Sequence, residues 1–166
     1  MDAPIQTTLL KKAYALLARR AYGRCELKNK LAGTASESQI ESALNHLEHL
    51  NLLNDDDYAY NFALHRIRQQ AWSPAKVQHA LIRRRIDTPV IARAIDRVYA
   101  ESGSETDIVV AYIRKHCGKK GLPTDPKAIR GLVLRLRQHG FEEEPIIGAM
   151  RRLFPADTMQ RFETGE

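Results

Sequence analysis

Three apolar patterns, each spaced for one face of an α-helix, recur along the chain at intervals near fifty residues, and this recurrence restricts the fold more than any other feature. Ile40, Leu44 and Leu47 match Ile91, Ile95 and Val98 at an offset of 51, and those match Ile146, Met150 and Leu153 at an offset of 55. At the second offset Leu81 also falls on Leu136 and Ile86 on Phe141. A period of this length belongs to helical repeats, whose single units bury too little apolar surface to stand alone and therefore stack. The expectation is an all-α chain, an elongated, curved array of three tandem three-helix units of helix-turn-helix type at 8–53, 54–102 and 104–154. Residues 155–166 read as a polar, frayed C-terminal tail. The alternative is chance spacing inside one irregular helical domain. No stretch alternates with period two for long enough to make a strand.

Helix-start signals agree with this division. Residues 8–22 place Leu9, Leu10, Ala13, Leu16 and Leu17 on one helical face, and Leu27 and Leu31 follow four apart. Ser36-Glu37-Ser38-Gln39 has the form of a capping box. Asn54 and three aspartates open the middle unit, where negative charge meets the positive end of a helix dipole. Ser73-Pro74, Thr88-Pro89 and Asp125-Pro126 each read as a cap followed by proline at the first helical position. Trp72 and Val77 flank one of these caps at the hydrophobic-staple positions, which makes the single tryptophan a packing element. Ser104-x-x-Asp107 starts the third unit, with Ile108 and Tyr112 facing inward. Gly118 and Gly121 bracket Lys119 and Lys120 in an exposed loop.

Charge says what such an array would meet. Residues 1–60 carry 7 basic and 8 acidic side chains, and residues 61–166 carry 19 and 12, so the net +6 lies wholly in the later part. This balance favours a polyanionic partner, either nucleic acid or an acidic or nucleic-acid-loaded protein surface, over a basic face that merely keeps the protein soluble. No apolar run approaches the roughly 20 residues of a bilayer-spanning helix, so no membrane is involved. Met1-Asp2-Ala3-Pro4 does not resemble a secretory signal, which points to the cytoplasm. Cys25 and Cys117 lie far apart and read as idle thiols.

Catalytic and cofactor sites are not expected. Asp55, Asp56 and Asp57 lack the glycine turn and distal glutamate of an EF-hand loop. His46 and His49 have no third ligand at a metal-binding spacing, His116 and Cys117 are only sequence neighbours, and there is no phosphate-binding glycine loop. The chain reads as a non-enzyme without cofactor or metal. The functional candidates are basic residues off the apolar stripes: Arg66 and Arg68 on the first helix of the middle unit, Lys76, Arg83 and Arg85 on its second, Arg93 and Arg97 on its third, and Lys127, Arg130, Arg135 and Arg137 on the second helix of the last unit. Arginine suits bidentate contact with carboxylate or phosphate. Arg84 falls near the apolar phase of Val77, Ala80 and Leu81, which makes it partly buried or the marker of a helix end.

The segment Leu53-Asn54-Asp55-x-x-Tyr58-Ala59-x-x-Phe62-x-x-x-Arg66 resembles the signature of the RecX family, regulators of the RecA recombinase. Glu26-Leu27-x-x-Lys30-Leu31 is similar to that family's Glu-Leu-x-x-Lys-Leu element, and Val77 through Ile86 to its basic helix. The chain departs from the family in having Ala71-Trp72 where glycine often precedes the second helix, and Arg84-Arg85-Ile86 where Lys-Gly-Ile is common. The resemblance extends from about Leu9 to Phe154. It implies a monomer that binds the RecA filament on single-stranded DNA, lodges in its helical groove and restrains recombinase, ATPase and coprotease activities in recombinational repair and the SOS response, with at most weak binding to single- or double-stranded DNA alone. A direct DNA-binding helix-turn-helix regulator is the alternative, although no helix begins with the exposed Asn, Gln and Arg of a recognition helix. A helical-repeat RNA binder would need base-reading side chains in register, and none recur.

Overall fold

A computed structural model describes residues 3–118 and 121–164, so that Lys119 and Lys120 lie outside the described residues. Among the described residues every regular element is an α-helix: α1 (Ala3–Leu17), α2 (Arg24–Leu31), α3 (Glu37–His49), α4 (Asp55–Gln70), α5 (Pro74–Ile82), α6 (Thr88–Ser102), α7 (Glu105–Cys117), α8 (Pro126–Gln138), α9 (Glu143–Leu153) and α10 (Ala156–Thr164). The chain divides into two compact units, one of residues 1–62 and 79–94, the other of 63–78 and 95–166. The helices α4, α5 and α6 each run from one unit into the other.

Most helix starts follow from the caps in the sequence. Ser36 with Gln39, and Ser104 with Asp107, form reciprocal capping boxes. Asn54 Oδ1 accepts the Asp57 N–H at 3.1 Å, Ser73 Oγ accepts the Lys76 N–H at 3.2 Å, and Asp125 Oδ2 accepts the Ala128 N–H at 2.9 Å. The Ser104 hydroxyl and N–H, together with Arg152 at 2.7 Å, hold the Asp107 carboxyl at about 2. Thr88 differs from the expectation. It is already helical, and the carbonyl of Asp87 accepts the Ile91 N–H at 3.0 Å, so the cap is Asp87 and proline sits at the second helical position.

In the first unit α1, α2 and α3 pack on one another around Leu9, Ala13, Leu27, Leu31, Ile40, Leu44 and Leu47. The first helix ends at Leu17 rather than reaching residue 22. Tyr22 turns into the core, Arg20 lies over its ring at 3.8 Å and Arg20 pairs with Glu26 at 2.6 Å, which fixes the connection to α2. The start of α2 has no side-chain cap of its own, and Asp55 at the head of α4 supplies one by accepting the Arg24 N–H at 2.7 Å. A Cβ on the adjoining Gly23 would meet Ile86 Cδ1 at 2.9 Å, so a larger residue there would push the end of the Ile86 side chain aside. Burial pushes the Asp55 carboxyl up, partly offset by that hydrogen bond.

In the second unit α7 packs most extensively on α9, with α8, α9 and α10 closing the bundle. Ile108, Val109 and Ile113 are buried; Tyr112, expected inward, is half-buried and lies between His116 and His139 with ring centroids 5.6 and 4.9 Å away. The segment expected to fray after Pro155 is instead α10. Its Met159 is only 6% exposed and docks the short helix.

The ends of α5 and α8 show the repeat in backbone geometry. After α5 the Arg85 N–H bonds to the Ile82 carbonyl at 2.8 Å and the Ile86 N–H to Leu81 at 3.2 Å. After α8 the Gly140 N–H bonds to Arg137 at 2.9 Å and the Phe141 N–H to Leu136 at 3.3 Å. Both are Schellman endings, which require a left-handed residue, and Arg85 has φ 58° where Gly140 has φ 91°. Ala71, at φ 49°, occupies the same region at the end of α4. Ala71 and Arg85 therefore hold a left-handed backbone that glycine would adopt without strain.

Candidate interaction surface

The basic residues picked out from the sequence fall into groups with different surroundings. Arg66 and Lys76 are half-buried and both lie over Trp72, the guanidinium 4.7 Å and the ammonium 4.8 Å from its ring centre. Lys76 Nζ also donates to the Gln138 carbonyl at 2.8 Å, the Ser73 N–H bonds to the His139 carbonyl at 3.1 Å, and a His139 ring nitrogen donates to the Gln70 carbonyl at 2.6 Å. This is a joint in which the end of α8 satisfies backbone groups at the α4–α5 turn. Trp72 is half-buried against these two cations, and Lys76 serves the joint.

A second group is neutralised on the surface. Arg93 pairs with Asp56 at 2.6 Å, Arg97 with Glu101 at 3.4 Å, and Arg68 bonds to Ser102 Oγ at 2.7 Å and reaches Glu101. Exposed pairs of this kind contribute only about 0–1 kcal/mol, so an anionic partner could replace the carboxylates. Arg135 donates to His116 Nε2 at 2.6 Å, leaving that ring nitrogen as acceptor.

Arg83, Arg85, Lys127, Arg130 and Arg137 are exposed and, among the described residues, their side chains have no hydrogen-bond or ion-pair partner. In the first unit the left-handed turn after α5 presents Arg83 and Arg85 beside Ile82, which is 46% exposed. Their neighbour Arg84 is pinned inward, donating to the Ala80 carbonyl at 2.8 Å and lying 4.7 Å over the Phe62 ring, so it marks the helix end as its phase suggested. In the second unit α8 carries Arg130 and Arg137 along a shallow groove of about 280 Å³ completed by Val133 and Leu134. Sequence reasoning passed over Ile82 and Leu134; the signal was present, since both are apolar yet out of phase with the buried stripes Val77–Leu81 and Ile129–Leu132–Leu136.

The arrangement offers guanidinium groups for carboxylate or phosphate and little reaction chemistry. Among the described residues no three His, Cys, Asp or Glu gather as a metal site would need, and Asp55 and Asp56 are engaged with Arg24 and Arg93. Burial pushes the Cys117 thiol up, which makes it a poor nucleophile. No described helix is long and apolar enough to cross a membrane.

Known proteins share this sequence pattern and fold. Residues 54–95 match the family model described as RecX, second three-helix domain. The regulatory protein RecX of Pseudomonas syringae pv. tomato is 32% identical over 143 residues, covering 86% of this chain and 89% of its own. RecX of Corynebacterium efficiens is 29% identical over 136 residues, and there the chain spans only 64% of the relative's length. The crystal structure of RecX from Lactobacillus salivarius superposes with a TM-score of 0.73 at 20% identity, covering 91% of this chain and 97% of that one, a likeness of fold. The helices in threes, the signature at the head of α4 and the identity over most of both chains place this protein in the RecX family of regulatory proteins.

Proposed function

We propose that the chain is a regulator of RecA that binds the RecA filament on single-stranded DNA, seated in the filament groove, and inhibits or otherwise modulates recombinase, ATPase and coprotease activities. It acts without chemistry of its own, as a monomer of three tandem repeats at 8–53, 54–102 and 104–154. Family membership supports the class of function. The observation that carries the surface is the set of exposed, unpartnered cations, Arg83 and Arg85 after α5 and Lys127, Arg130 and Arg137 on α8. An isolated cation on a protein surface is ordinary; a set grouped after α5 and along α8 that finds no internal carboxylate, where Arg20, Arg24, Arg68, Arg93, Arg97 and Arg152 do, favours an external anion.

The test is a titration of the protein against RecA alone, single-stranded DNA alone and the assembled filament, read by anisotropy and by inhibition of strand exchange. Tightest binding to the filament is the expected outcome, weakened by charge reversal at Arg83 and Arg85. Tightest binding to bare duplex, with a steep salt dependence, would sink this reading in favour of a direct DNA-binding regulator.

A further inference from the structure

We propose that the solvent face of α8 is a docking site for an acidic amphipathic segment of a partner polypeptide. This rests on the filament-binding reading above and names the kind of partner that one part of the surface takes. The helix carries Lys127, Arg130, Arg135 and Arg137 and no acidic residue. Arg135 is turned to His116, while the other three side chains lack partners among the described residues. Leu134 stands 60% exposed between Arg130 and Arg137, four residues beyond the one and three before the other, so all three share one helical face.

The ground beside this stripe is aliphatic. Val133 and Leu134 line the groove of about 280 Å³ with the two arginines, and Val133 and Arg137 also border a second groove of about 270 Å³ lined by Ile146, Ile147 and Met150. Gly131 adds no bulk, for a Cβ there would have nothing within 4 Å. The face is therefore an apolar floor with a cationic rim. Single-stranded nucleic acid takes hold through phosphates and through stacking on aromatic rings, and among the described residues no aromatic side chain lines either groove. A phosphodiester would use the rim and leave the floor wet. A peptide helix with carboxylates about one turn from a Leu, Ile or Met uses both, its carboxylates bidentate on Arg130 and Arg137 and its aliphatic side chains against Leu134 and Val133. Glu143, at the edge of the second groove, repels a carboxylate there and favours the arrangement with acidic groups on the Arg130 side.

The test places a photo-crosslinking phenylalanine analogue at position 134 of the full chain and irradiates it with the RecA filament assembled on oligothymidylate. The expected adduct is with polypeptide and maps to an acidic stretch by mass spectrometry. In parallel Leu134→Glu, at a position 60% exposed and with its fold checked by circular dichroism, should lower filament affinity about tenfold or more while changing affinity for free oligothymidylate by less than about twofold. An adduct with the DNA, or filament binding that persists with no polypeptide adduct at position 134, overturns the assignment to α8 and leaves the filament reading standing. If the unmodified chain fails to bind the filament, both fall.

Discussion

Arg85 and Gly140 occupy the same place in the same helix ending 55 residues apart, one at φ 58° and the other at φ 91°. The backbone demand is shared and the residues are not. An L-residue in the left-handed region costs roughly 1–2 kcal/mol, which glycine avoids. Arg85→Gly should therefore raise stability by about 1 kcal/mol, after allowing for glycine's extra freedom in the unfolded chain. The same change removes an unpartnered cation, so filament affinity should fall as the melting temperature rises. Thermal unfolding and anisotropy on one variant read the two effects in opposite directions. A fall in both would mean the turn needs the arginine.

At the partner position the reverse holds. A Cβ on Gly140 would lie 2.6 Å from Ser73 Oγ and 3.1 Å from Lys76 Cβ, at a φ that side chains rarely adopt. Gly140→Ala is expected to destabilise by about 3 kcal/mol, combining backbone strain with overpacking. Urea denaturation checks this, and a loss below about 1 kcal/mol would show that the joint can yield.

The Asp55 carboxylate and the Arg24 N–H predict a pH signature. Burial raises the Asp55 pKa, and a carboxyl raised on folding contributes stability that is complete below its unfolded value and lost as pH rises through the folded one. Asp55→Asn keeps an acceptor without the charge. Its loss relative to the parent should be least at neutral pH and grow as pH falls through the raised Asp55 value, reaching its full size below the ordinary carboxylate value. Asp55→Ala, which leaves the Arg24 N–H without its acceptor, should cost about 1–2 kcal/mol. Denaturant midpoints across the acid range compare the three.

Asp107 behaves with the opposite sign. Its carboxyl is held at about 2, below the ordinary 3.8, by Ser104 and then Arg152, so its contribution is present above 3.8 and is lost as pH falls toward 2. In Asp107→Asn the fall in melting temperature over that interval should be shallower than in the parent. Equal slopes would mean that the capping box is already open in acid.

Among the basic residues, charge reversal should separate the unpartnered from the paired. Arg83→Glu and Arg85→Glu together are expected to weaken filament binding about tenfold or more, while Arg97→Glu, at a cation shared with Glu101, should weaken it less. Similar losses from both would indicate that the internal pairs open on binding at negligible cost.

Most of the helices were legible because their information is local. Ser36, Ser73, Ser104 and Asp125 cap within three residues, and Ile91, Ala94 and Val98 announce a buried stripe by spacing alone. What was missed depends on distant groups. Nothing near Lys76 says that the carbonyl of Gln138, 62 residues away, will take its charge, nor does the sequence around Arg93 name Asp56 as its partner. The C-terminal α10 was hidden because in nine residues Met159 and Phe162 are the only large apolar side chains, a single helical interval among polar neighbours. For the surface, composition pointed to the basic face, but only contacts across the fold distinguish a cation with a partner from one without.

Trp72 is the chain's one tryptophan, and it lies in the unit of residues 63–78 and 95–166, with two cations over its ring at the α8 joint. Intrinsic indole emission is thus a built-in local gauge. Opening of that joint frees the ring from Arg66 and Lys76 and changes the signal, whereas melting of the α1–α3 cluster alone leaves it dark. A fluorescence transition that precedes or lags the loss of helical circular dichroism would time the two halves of the molecule separately, with no label added.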